Sequence, residues 1–290
     1  MSRQTADRLT IIAAKVRRNA WFSAIFRRVG LAIFAIWCLF PIYWLVATSL
    51  KSPLEVMSRK PSVFFFDVHF ANYAEVIAGA EIWSYFLNST IVALGSTVLT
   101  LAAGIPTAYV LARYKFKGSS DFAFWILTTR MSPPVAVLIP FFVMYTWLGI
   151  NDTHFGVIIA HVAVNISIVV WLLRSFFDDL PYALEEAAFM DGATYYQAFQ
   201  HIALPLAMPG IAAVGILSFL FSWNEFLFAL VLADDNVRTV PVGIYGFVGF
   251  QSIAWGKLSA SATIMIVPVV VFLMIFQRSL VRGLTLGAVK

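Results

Sequence analysis

The sequence predicts an all-α polytopic membrane protein with six transmembrane helices and a cytoplasmic loop between the fourth and fifth. Three observations predict this. Of 290 residues, 61% are hydrophobic and 12% charged, with mean hydropathy +0.84; a soluble domain carries about 25% charged residues. Six apolar runs reach the length of roughly 20 residues that a bilayer crossing takes. Lys and Arg gather on one side of those runs, the side that faces the cytoplasm.

The runs are 29–50, 85–112, 122–147, 156–176, 210–232 and 258–278. They divide the chain into a basic N-terminal segment 1–28, a six-span domain 29–278 and a tail 279–290. The N-terminal segment holds Arg3, Arg8, Lys15, Arg17, Arg18, Arg27 and Arg28. Arg113, Lys115 and Lys117 follow span two, and Arg278, Arg282 and Lys290 follow span six. The opposite loops hold only Lys51, Arg59, Lys60, Arg238 and Lys257. Thirteen charges against five place both termini in the cytoplasm. The net charge of +5 therefore reports orientation and not a nucleic-acid partner.

Span one exceeds the 7–15 apolar residues of a signal peptide and reads as an uncleaved anchor. Its Cys38, the single cysteine, reads as a small core residue. His69, His154, His161 and His201 show no ligand spacing, so no metal site is predicted. The external stretch 62–86 is aromatic, with Phe64, Phe65, Phe66, Phe70, Tyr73, Trp83 and Tyr85. It reads as an interfacial belt or as contact with an external partner. The Gly-rich stretch 242–257 reads as an irregular loop with the same two options.

Each polar residue inside a span carries a functional hypothesis, because a charge at mid-bilayer costs about 2.5–3.5 kcal/mol. Arg130 precedes Pro133-Pro134 in span three. It is a candidate partner for Glu225, or for a carbonyl freed by a proline bend. His161 and Asn165 share a face of span four and suit interhelical hydrogen bonds. In span five, Ser218, Ser222, Glu225 and Ala229 form a small, polar stripe. Such a stripe packs closely against another helix or lines a water-filled path. Asn224, Glu225, Phe228, Ser222 and Arg130 are the candidate pathway residues.

The loop 177–209 is acidic. From Asp178 to Pro209 it holds Asp178, Asp179, Glu185, Glu186 and Asp191 and neither Lys nor Arg. It reads as two short helices. Asp178 or Asp179 would cap the first, with Pro181 in its first turn. Asp191-Gly192 would end it. The second would carry an apolar stripe of Tyr195, Phe199, Ile202 and Leu206 and stop at Pro205 and Pro209. Anionic lipid would repel such a loop. A cytoplasmic protein with basic residues would fit it.

The spacing of the loop is also that of a known signature. Glu186-Ala187-Ala188, three residues, Gly192, nine residues, Ile202, one residue, then Leu204-Pro205 resembles the "EAA" motif of permease subunits of binding-protein-dependent ABC importers. Residues 88–118, 221–233 and 280–290 are similar to the maltose-type second permease, and 130–142 is similar to the third span of that class. The resemblance implies a coupling helix that seats in a cleft of a cytoplasmic ATPase. It assigns that coupling to Glu185, Glu186, Ala187, Asp191, Gly192, Ile202, Leu204 and Pro205. It further implies a homologous permease as heterodimer partner, two ABC ATPase subunits, a periplasmic or extracellular solute-binding protein, a carbohydrate substrate (sugar, oligosaccharide or polyol) and a bacterial inner membrane. The chain has no G-x-x-x-x-G-K-[ST] phosphate loop, so ATP and Mg belong to the partner chains and this chain carries no cofactor. A self-sufficient secondary transporter is the alternative; it predicts midplane carboxylates and paired broken helices within one chain.

Overall fold

The computed structural model describes residues 3–249 and 252–286, with side chains from 23 to 277 apart from 80, 250 and 251. The chain is helical nearly throughout: α1 (Arg3–Ser49), α2 (Pro53–Val56), α3 (Ala71–Ala78), α4 (Ala80–Arg113), α5 (Ser119–Thr129), α6 (Pro134–Leu148), α7 (His154–Asp179), α8 (Ala183–Met190), α9 (Tyr195–Ala198), a π turn (Phe199–Ala203), α10 (Leu204–Trp223), α11 (Leu227–Leu232), α12 (Val240–Tyr245) and α13 (Trp255–Leu286). Among the described residues the β structure is one isolated bridge, Val248 to Ile253.

Among the described residues, five helices are long and apolar enough to cross a membrane: Ser23–Ser49, Glu81–Arg113, His154–Asp179, Tyr195–Trp223 and Trp255–Gln277. The pair α5–α6, bent by 92°, makes a sixth when counted as one span. Span three is therefore not the straight run 122–147. Pro133 and Pro134 cannot donate to the preceding turn; Pro134 instead opens α6, where a missing N–H costs nothing.

Span five departs from expectation at both ends. Pro205 and Pro209 do not stop the helix, which is continuous from Tyr195 to Trp223. The π turn absorbs the mismatch, with Leu204 N–H donating to Phe199 O immediately before Pro205. At the other end the predicted run 210–232 is broken at Asn224–Phe226. Hydropathy is blind to that break because apolar residues continue on both sides of it.

The core is built on α4 and α7, which pack along much of their lengths, with α10 against both. Gly104 makes the close approach possible: a Cβ there would lie 2.7 Å from Val169 Cγ1. The main cluster joins Ala108, Tyr109, Leu173, Phe177, Ala203 and Val214. α13 packs on α10, and α1 packs on α13. Among the described side chains of α1, Ile33, Phe34, Ile36 and Trp37 are all exposed. Cys38 is exposed on that helix, not the small core residue expected; its apolar surroundings are a lipid-type face instead of a protein interior. The side chains of residues 1–22 and 278–290, which carry most of the N-terminal and tail charges, lie outside the described residues.

Candidate functional site

The loop between α7 and α10 is built by local sequence. α7 runs on through Asp179, so neither Asp178 nor Asp179 caps α8. Pro181 precedes that helix, and Tyr182 occupies its cap position without a side-chain hydrogen bond. The first turn of α8 holds Glu185 and Glu186, where the helix dipole favours negative charge. The helix ends on Gly192 at φ 86°. Ala193 N–H donates to Ala188 O at 2.9 Å and Gly192 N–H to Phe189 O at 3.0 Å, the paired bonds of a Schellman end. No neighbouring atom crowds Gly192, so its backbone angle alone demands glycine. Thr194 and Gln197 then form a capping box that starts α9.

This geometry sorts the predicted coupling residues. Glu186, Ala187, Asp191, Gly192 and Pro205 are exposed, while Ile202 and Leu204 are half-buried. A cleft of about 390 Å³ lies beside Gly192, lined by Ala188, Asp191, Gln197, His201 and Ile202. Glu185 is different. It is 2% exposed and turned inward. Its Oε2 accepts from Tyr109 Oη at 2.6 Å and its Oε1 from Arg113 Nε at 2.7 Å. Glu185 is thus no docking contact in this conformation. A side chain at N3 of α8 faces the end of α4, and two donors one turn apart hold it there. Sequence reading missed Tyr109 and counted Arg113 only as a topology charge; their i, i+4 spacing on one helix was the available signal.

The second polar site lies between α4, α7 and the break after α10. His161 Nδ1 is 2.6 Å from Ser222 Oγ, and Ser96 Oγ donates to Ser222 Oγ at 2.8 Å. His161 Nε2 sits 3.2 Å from Glu225 Oε2, an ion-pair distance but off the hydrogen-bond axis. Glu225 accepts from the N–H groups of Phe228 and Ala229 at 2.9 and 3.1 Å. It thereby satisfies donors that the break exposes. Arg130 does not pair with Glu225. Its Nη1 donates to Val164 O at 3.2 Å, and its guanidinium lies over the Phe221 ring at 5.3 Å.

Ser222 and Phe228, two candidate pathway residues, are buried at 4% and 3%. Ser222 is held by its hydrogen bonds, and Phe228 packs edge-on against Phe141 at 5.6 Å. Ser218 and Ala229 are buried as well, so the small residues of the stripe pack within the chain. Arg130 and Asn224 remain exposed, and Glu225 is partly so. Among the described residues no group of His, Cys, Asp and Glu side chains is arranged to hold a metal ion.

The fold and the loop define the class of a polytopic helical membrane protein with an acidic helical loop between two of its spans. The chain belongs to the family described as binding-protein-dependent transport system inner membrane component, whose pattern matches residues 104–286. It is similar to a probable ABC transporter permease of Sinorhizobium fredii, 36% identical and covering 88% of this chain and 93% of that protein. A trehalose transport system permease of Mycobacterium tuberculosis is also 36% identical, over the same shares. Among solved structures, a bacterial ABC transporter involved in the import of the acidic polysaccharide alginate superposes with TM-score 0.74 at 26% identity, covering 90% of this chain and 97% of that one. The chain is therefore a multi-span permease subunit of an ABC importer, with ATP hydrolysis on a separate subunit. The secondary-transporter alternative is set aside.

Proposed function

We propose that this permease imports a carbohydrate and is driven by an ATPase docked on the loop 177–209. The observation that carries the docking is the pair of exposed carboxylates on α8, Glu186 in its first turn and Asp191 at its C-terminal cap, with the open cleft beside Gly192. Charge of one sign around a cleft suits a basic partner surface. The relatives that transport trehalose and alginate support the carbohydrate reading.

The full assembly in this proposal is a heterodimer with a homologous permease, two ABC ATPase subunits and an extracytoplasmic solute-binding protein. Both termini lie in the cytoplasm of a bacterial cell, with 1–28 and 279–290 flanking the six-span domain. ATP and Mg sit on the ATPase subunits. Arg130 and Asn224 flank the exposed Phe221 ring, the first by its guanidinium and the second three residues along the helix. In this proposal those three groups and Glu225 face the path between the two permeases. Amide, guanidinium and ring face together suit the hydroxyls and apolar faces of a sugar. Ser222 and Phe228 support them from within the chain.

Glu186→Lys tests the docking. The variant inserts normally, because the position is exposed, and loses ATP-dependent uptake in vesicles that contain all subunits. Uptake at the wild-type rate would remove Glu186 from the contact.

A further inference from the structure

α8 buries one side chain, and it is a carboxylate: Glu185. A loop helix docked by the hydrophobic effect would bury apolar residues instead. The attachment of α8 to α4 is therefore polar, while Phe189 packs on the Tyr195 ring at the start of span five. Both oxygens of Glu185 are engaged by donors on α4, Tyr109 Oη and Arg113 Nε. Two donors one turn apart fix the carboxylate in rotation as well as in position. Arg113 also donates through Nη2 to Leu180 O at 3.0 Å, and its guanidinium lies 5.6 Å from the Tyr182 ring centroid. The chain entering α8 is thus held to the same point. Arg113 and Glu185 are 6% and 2% exposed, so little solvent screens the pair.

We propose that Tyr109, Arg113 and Glu185 form a rigid joint that makes α8 move as one body with the cytoplasmic end of α4. The proposal rests on the reading of this loop as the ATPase contact and names how the motion leaves it. Without the joint, α8 is held through residues 180–182 to α7, through 191–194 to α9, and by the Phe189 ring against Tyr195 at 5.0 Å. These ties bind it to its chain neighbours and not to α4. With the joint, a displacement of α8 is delivered to α4, whose Gly104 face is seated on α7. An apolar contact of the same size would hold as strongly but slide more easily; a paired buried charge fixes register. Glu185 is in these terms a positioning residue that acts through α4.

The test uses the complete reconstituted transporter with Cys38 replaced by Ser. Spin labels at Ala103 on α4 and Met190 on α8, both exposed, report their separation with and without trapped ATP. The joint predicts one unchanged separation in both states. Glu185→Gln keeps the shape and removes the charge. It is expected to broaden that separation and to raise ATP hydrolysed per solute transported severalfold, with the ATPase still co-purifying. Tyr109→Phe, which removes one hydroxyl, is expected to do the same more weakly. It keeps the test decisive if Glu185→Gln does not insert.

A purely structural role would lower the yield of transporter and leave the ATP-to-solute ratio unchanged; that result overturns the joint. So does a wild-type separation that changes on ATP trapping. Failure of the ATPase to co-purify with the wild-type chain would instead defeat the docking reading on which the joint rests.

Discussion

Glu185 and Glu186 are adjacent, identical in chemistry and opposite in environment. One is sealed against Tyr109 and Arg113; the other faces solvent. Charge deletion should therefore act differently at the two positions. Glu185→Ala leaves Arg113 buried without its carboxylate and is expected to cost about 3–5 kcal/mol of stability, read as a lower melting temperature in detergent. Glu186→Ala is expected to fall within about 0.5 kcal/mol of wild type by the same melt. At the second polar site, His161→Ala removes one of the two side-chain partners of Ser222 and the ring nitrogen 3.2 Å from Glu225. A loss of about 1–3 kcal/mol follows from the groups left unpaired, and wild-type stability in that variant would contradict the network.

Two elements depend on contacts that no local pattern announces. Close packing of α4 on α7 predicts that Gly104→Leu, which drives a side chain into Val169, costs about 1–3 kcal/mol or more, while Gly118→Ala, with open space around it, is limited to backbone strain at φ 88°. At the other end of the molecule Asp152 ties the α6–α7 turn to the segment after α11. It accepts from the N–H groups of Asp234, Asn236 and Val237 and from the Asn236 amide. Partial burial raises the Asp152 carboxyl, but those donors lower it more, and the net value lies below the ordinary 3.8. A depressed carboxylate stabilises fully above its unfolded pKa and loses that contribution as pH falls through its folded value. Thermal melts should accordingly show Asp152→Asn destabilised near neutral pH, with the gap to wild type closing below pH 3.8. The six apolar runs and the punctuation at Gly192 were legible in sequence because each is a local property. The joint between Glu185 and Arg113 spans 72 positions, and no helical period links such partners. The break at Asn224–Phe226 was hidden by continuous hydropathy, and the prolines after the π turn misled because a widened turn accommodates them.

For the whole molecule, the family assignment fixes a permease subunit, and the distribution of exposed surface fits assembly. α1 leaves an apolar face uncovered among its described side chains, Arg130 and Phe221 are exposed and in contact, and Asn224 is exposed. The first suits lipid; the second suits a partner permease and the solute path between the two. Composition carried the membrane class, and motif spacing carried the motor that this chain lacks. The sugar itself is not legible in either, because in the proposed assembly the path is lined jointly with a second chain. The central claim is that Glu186 and Asp191 mark where a separate ATPase is attached. The most direct measurement places a photo-crosslinking amino acid at 186 or 191 in the full transporter in its own membrane and identifies the captured chain by mass spectrometry. The account predicts capture of a chain containing a G-x-x-x-x-G-K-[ST] phosphate loop from both positions. Capture of lipid alone from 186 and 191, with uptake intact, would contradict it.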